Sequence, residues 1–111
     1  MVIGLDWDDT ISEYTIGFKK LVECAAEVHV ITLNSSITEA YAKEVLNFHN
    51  HLTVHVMSDE ELKTSLQDLG IGEWKANKCL ELGVELMFDD MKEVVDKCIE
   101  FGVPAVQVEA R

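Results

Sequence analysis

The sequence predicts an α/β fold built on a five-stranded parallel sheet, and two observations carry that expectation. Five short apolar stretches recur along the 111 residues: VIGLD (2–6), VHVIT (28–32), TVHVM (53–57), VELMFD (84–89) and PAVQV (104–108). The segments between them repeat their apolar residues at helical spacing, so strand and helix alternate as in successive βα units. A chain of this length supports one core, and residues 1–111 are read as a single domain.

The elements follow in order. VIGLD is aliphatic and β-branched, as a buried strand requires, and it ends in charge. Segment 14–26 places Phe18, Leu21, Val22 and Ala25 on one helical face, and leads into VHVIT. Segment 38–48 does the same with Ala42, Val45 and Leu46 before TVHVM. Ser58 followed by Glu61 has the spacing of a capping box and starts a helix that Gly70 is expected to stop. A further helix is expected from about Glu73 to Leu82, ended by Gly83, and VELMFD follows. The last helix begins near Met91 and stops at Gly102, because Pro104 bars its continuation into PAVQV. No linker, low-complexity segment or internal repeat breaks this alternation.

Composition sets further bounds. A hydrophobic fraction of 48% describes a folded chain with a substantial core. Nine basic against twenty-one acidic residues leave a net charge of −12, spread along the chain rather than gathered in a tail. Such a field repels nucleic-acid backbones and anionic membranes, so neither bulk nucleic-acid binding nor membrane attachment is expected, and any phosphate must be captured locally. Cys24, Cys79 and Cys98 are odd in number and lack the paired spacing of a zinc site or disulfide framework; they are expected to be reduced core residues. The N-terminus shows no basic region followed by a long apolar run, so the expected location is cytoplasmic.

Acidic residues cluster where a parallel sheet gathers its chemistry. Asp6, Asp8 and Asp9 end the first strand, and Asp89 and Asp90 end the fourth. In open parallel sheets, functional groups collect at the carboxyl ends of strands, near the point where strand order reverses. If these two strands are neighbours, five carboxylates converge, and like charges so close call for a proton or a hard divalent cation such as Mg²⁺. Either run alone fits a solvated turn or a helix N-cap; the two together favour a metal site.

DWDDT (6–10) after a hydrophobic strand resembles the DxDxT signature of the haloacid dehalogenase superfamily of phosphotransferases. The family's remaining motifs have counterparts in order: Thr32 ending the second strand, Lys75 in GEWKANKCLELG with Lys78 as a competitor, and the acidic pair Asp89 and Asp90 ending the fourth strand. The resemblance implies a Rossmann-like three-layer sandwich and a Mg²⁺-dependent phosphomonoester hydrolase. It implies that Asp6 attacks phosphorus, that Asp8 protonates the leaving oxygen and then activates water, and that Thr32 and Lys75 hold the phosphoryl group. It also implies that Asp6, the main-chain carbonyl of Asp8, Asp89 and Asp90 hold the metal. The side chains of Asp6 and Asp8, two positions apart in an extended segment, would point the same way. One departure stands out, since the residue after the second Asp is commonly Gly in the family and is Asp9 in this chain.

About twenty residues separate Thr10 from Thr32, room for one crossover helix, and ordinary elements fill the stretch from Thr32 to Lys75. The chain is therefore expected to have no cap domain and only a small flap around Ile11 to Thr15. An open site of that kind suits a nucleotide or a phosphorylated end of a larger molecule, with oligomerisation left open.

Other features receive simpler readings. His49, His51 and His55 straddle a helix end and a strand, and are read as turn and surface residues rather than as ligands. Trp7 is expected in the core or over the cleft, and Trp74 in the core or at the substrate rim. Two alternative functions remain. One is a non-catalytic acidic binding module that engages a basic partner. The other is a receiver-type phosphoacceptor domain, which places its phosphorylated Asp after the third strand and a Lys after the fifth; this chain has Ser58 and Asp59 in the first place and no Lys in the second.

Overall fold

The computed structural model describes residues 1–64 and 70–109. Five strands form one parallel sheet: β1 (Val2–Leu5), β2 (Glu27–Thr32), β3 (His51–Val56), β4 (Leu86–Asp89) and β5 (Ala105–Gln107), in the spatial order β3-β2-β1-β4-β5. Among the described residues the helices are α1 (Thr15–Val22), α2 (Glu39–Leu46), α3 (Asp59–Thr64), α4 (Gly70–Leu82) and α5 (Lys92–Glu100). This is the Rossmann-like α/β arrangement expected from the alternation of strands and helices.

The sheet separates two apolar layers because successive strand residues face opposite sides. Ile3 and Leu5 of β1 and Val28 and Val30 of β2 pack with Phe18 and Val22 of α1 and Ala42 and Leu46 of α2. On the other face, Ile31 of β2 and Met87 of β4 pack with Trp74, Ala76 and Cys79 of α4 and Val94 and Cys98 of α5. Strand order reverses between β1 and β4, so the crevice of the fold opens beyond Leu5 and Asp89.

Local chemistry explains the boundaries. Thr38 caps α2 by accepting from the Tyr41 amide, and Asn47 ends that helix in the left-handed region at φ 51°. Ser58 and Glu61 form the expected reciprocal capping box at the start of α3, with bonds of 3.2 and 3.0 Å. The expected stop of the α3 helix at Gly70 falls on residues 65–69, which lie outside the described residues; Gly70 itself, at φ 77°, is the first residue of α4. Helix α4 thus starts three residues before Glu73, and Gly83 closes it at φ 69°.

Helix α1 is shorter than segment 14–26, and Ala25 packs on the core from beyond the helix end. Cys24, in the same turn, is exposed, whereas Cys79 and Cys98 are buried as expected. Leu21, Val22 and Ala25 supply the apolar contacts with the core in this part of the chain. No helix among the described residues is long and apolar enough to cross a membrane.

Candidate functional site

Asp6 follows β1 directly, and its amide donates to the Phe88 carbonyl at 3.0 Å, which keeps the end of β1 zipped to β4. Its side chain lies on the α4 side of the sheet, the side that Gly4 faces two residues earlier. Asp6 Oδ2 accepts from the Thr10 hydroxyl at 3.1 Å, and Oδ1 accepts from Lys75 Nζ at 2.8 Å. Lys75 also donates at 2.8 Å to Oδ2 of Asp89, the last residue of β4, whose Oδ1 accepts from the Met91 amide at 2.9 Å. All three charged side chains are buried: Asp6 is 6%, Lys75 2% and Asp89 0% exposed.

Burial dominates their electrostatics. Desolvation pushes the Asp6 carboxyl up to about 6, against the pull of Lys75 and with some help from Asp90. Asp89 is pushed upward for the same first reason. Burial works against the Lys75 charge too, but the two carboxylates outweigh it and hold the ammonium above its ordinary range. One ammonium between two carboxylates leaves an uncompensated negative charge, and Asp90 adds another alongside. Ligand atoms of Asp6, Asp89 and Asp90 lie within 4.8 Å of one another. Such a set of hard oxygen donors fits a small divalent cation such as Mg²⁺.

Residues 7–11 form a tight turn in which the Ser12 amide bonds back to the Trp7 carbonyl at 3.0 Å. Trp7 points into the core, 5% exposed, with its ring centroid 5.6 Å from that of Tyr41. Asp8 is extended and exposed, while Asp9 adopts a left-handed conformation at φ 62°. That conformation is the reason glycine suits this position, and an aspartate bears it better than most side chains. The flap is small, since only residues 12–14 separate the turn from α1.

Thr32 ends β2 with its side chain 1% exposed, and its Oγ1 accepts from the Asn34 amide at 3.0 Å. Asp6, Asp8, Thr32, Lys75 and Asp90 line one open cleft of about 130 Å³, with Asp89 beneath it. The structure therefore brings together Asp6, Asp8, Thr32, Lys75, Asp89 and Asp90. Lys78 points elsewhere, pairing with Glu81 at 3.3 Å and lying 5.6 Å over the Trp74 ring. Trp74 is a core residue, and its indole N–H donates to Glu61 at 2.7 Å.

A larger groove of about 440 Å³ lies against α1 and the β4–β5 side of the sheet. Its lining is apolar apart from Tyr14 and Glu109, so it has no convergent set of charged groups. The smaller acidic cleft is the candidate site. His49 and His51 are exposed, and His55 instead meets His29 of the neighbouring strand, Nε2 to Nδ1, at 3.0 Å.

Sequence reasoning missed two residues that bond to the lining of the cleft. Thr10 was visible only as part of a motif, although a hydroxyl four residues after Asp6 reaches back to it across the turn. Asn34 joins β2 to the first turn by donating from Nδ2 to Asp8 Oδ1 at 3.3 Å. The run NSS after β2 signals an Asx turn, but no sequence pattern says what such a turn will face. Comparison with protein-family models and with curated proteins finds no match to this chain.

Proposed function

We propose that this protein is a phosphomonoester hydrolase dependent on Mg²⁺, in which Asp6 is the nucleophile and forms an aspartyl phosphate. The observation that supports it is the convergence, at the carboxyl ends of β1 and β4, of Asp6, Asp89 and Asp90 with the buried Lys75 ammonium. The sequence resemblance to the haloacid dehalogenase superfamily points the same way.

Asp6, Asp89, Asp90 and the Asp8 carbonyl would hold the cation, whose chemistry would be to neutralise charge on the phosphoryl oxygens. The chain's own residues do the rest. Lys75 and Thr10 hold the Asp6 carboxylate in place through one oxygen each. Lys75 and the Thr32 hydroxyl supply donors to the equatorial oxygens of a phosphoryl group in the cleft. Asp6 attacks phosphorus in line with the ester oxygen, and Asp8 gives that oxygen a proton as it departs. Water then attacks the phosphoryl group, its proton passes to Asp8, and Asp6 is released as a carboxylate. The shallow cleft leaves most of a substrate outside, which suits a nucleotide or a phosphorylated end of a larger molecule.

The test is phosphate release from an aryl phosphate, a nucleotide panel and phosphorylated ends, with Mg²⁺ and with EDTA, for wild type and Asp6→Asn. Release that needs Mg²⁺ and disappears in the variant supports the assignment. Equal inertness of both proteins, with Mg²⁺ still bound, returns the chain to the reading of an acidic binding module.

A further inference from the structure

Asn34 occupies a position from which one residue acts on two parts of the cleft. Its Oδ1 accepts from the Ser36 amide at 3.0 Å and from the Ser36 hydroxyl. An amide N–H can only donate, so these bonds fix which end of the Asn34 carboxamide is oxygen, and Nδ2 is the end turned toward Asp8 Oδ1, 3.3 Å away. The backbone amide of the same residue donates to Thr32 Oγ1 at 3.0 Å. Two consequences follow from donor and acceptor counting. The Thr32 oxygen accepts from the Asn34 amide, and that bond does not use the hydroxyl proton, which can donate into the cleft. Asp8 Oδ1 is likewise engaged, which leaves Oδ2 as the oxygen to carry a transferable proton.

We propose that Asn34 is a positioning residue for proton transfer to the leaving group, selecting the Asp8 oxygen that delivers the proton while its backbone orients the Thr32 hydroxyl. This rests on the hydrolase reading above. As the ester P–O bond breaks, its electron pair stays on the leaving oxygen, which takes the proton from Asp8 Oδ2, and the phosphoryl group is bonded to Asp6. Asp8 recovers a proton from the water that later attacks phosphorus. Loss of the Asn34 side chain leaves the Asp8 carboxyl free to rotate away, so the transfer loses its geometry while the nucleophile keeps Lys75 and Thr10.

The dependence on leaving group separates this role from simple structural support. A nitrophenolate departs with little need of a proton, whereas an alkoxide requires one. kcat/KM is measured for wild type, Asn34→Ala and Asn34→Asp on p-nitrophenyl phosphate and on glycerol 2-phosphate. Asn34→Asp keeps an oxygen for the Ser36 amide and so preserves the turn if Asn34→Ala does not fold; thermal melts report this. Positioning predicts a loss of about tenfold or more on the alkyl ester and less than about threefold on the aryl ester. Equal losses on the two esters, or no loss on either, overturn it. An inert wild type defeats the hydrolase reading first, and this inference falls with it.

Discussion

Asp6, just past the end of β1, and Asp89, the last residue of the neighbouring β4, share one ammonium group, with Lys75 donating to each at 2.8 Å. Removing one partner of a buried ion pair leaves uncompensated charge and costs about 3–5 kcal/mol. That is a large part of the ~5–15 kcal/mol that holds a domain of this size together. Lys75→Met should therefore lower the urea midpoint strongly, and the double variant Lys75→Met with Asp89→Asn should recover part of the loss. A single-variant cost below about 1 kcal/mol would mean that the two carboxylates are not held together by this cation.

His55 makes stability depend on pH. Burial, then the neighbouring His29 and Lys78, hold its pKa below the ordinary 6.5, while Glu81 and Glu39 pull the other way; Glu27 also meets His29 from the far side. The unfolded chain binds the proton first, so this contribution is present above pH 6.5 and is lost as pH falls through 6.5 toward the folded value. Asp6, raised to about 6, takes up its proton more readily when folded and works in the opposite direction. Urea melts at pH 7.5 and 5.5 in EDTA isolate the histidine by difference: stability of His55→Gln should fall less, or rise more, on acidification than that of wild type. Parallel pH profiles for the two proteins would exclude the effect.

Gly72 lets α4 lie close on α5. A Cβ there would stand 3.0 Å from the Glu93 carbonyl oxygen and 3.1 Å from Lys97 Cγ. Alanine would gain about 1 kcal/mol in helix propensity, but overpacking against backbone costs about 1–3 kcal/mol and should win. Gly72→Ala is expected to be destabilised by about 1 kcal/mol in chemical denaturation. A more stable variant would show that α5 gives way freely.

Trp74 ties α4 to the capping box of α3 through its 2.7 Å bond to Glu61. That bond is the first reason the Glu61 carboxyl lies below its ordinary range. Trp74→Phe should raise the Glu61 titration point in a carbon-13 NMR measurement, at a stability cost of about 1 kcal/mol because water can replace the lost donor. An unmoved Glu61 would show that the capping box alone sets its charge.

The strands were legible because a sheet covered on both faces demands unbroken apolar runs, and VIGLD and VHVIT supply them. Their carboxyl ends told where the acids would lie, and the structure brings Asp6 and Asp89 together as neighbouring strands require. Lys75 and Lys78 could not be separated by pattern alone, since both sit on one helix and only packing against β1 and β4 distinguishes them. Asn34 and the His29–His55 contact were illegible for a related reason. Each depends on side chains from segments far apart in sequence, and local periodicity carries no record of them.

The position of β1 between β2 and β4 has a consequence for the nascent chain. During synthesis β1 emerges before either partner; it pairs on one side with β2, about twenty-five residues later, but meets β4 on the other side only after residue 86 has been made. Until then one edge of the central strand is bare, and Asp6 and Lys75 lack the carboxylate of Asp89. Such long-range closure slows folding. The cleft is thus absent from the early intermediates of this sheet and is assembled only when the fourth strand closes the gap.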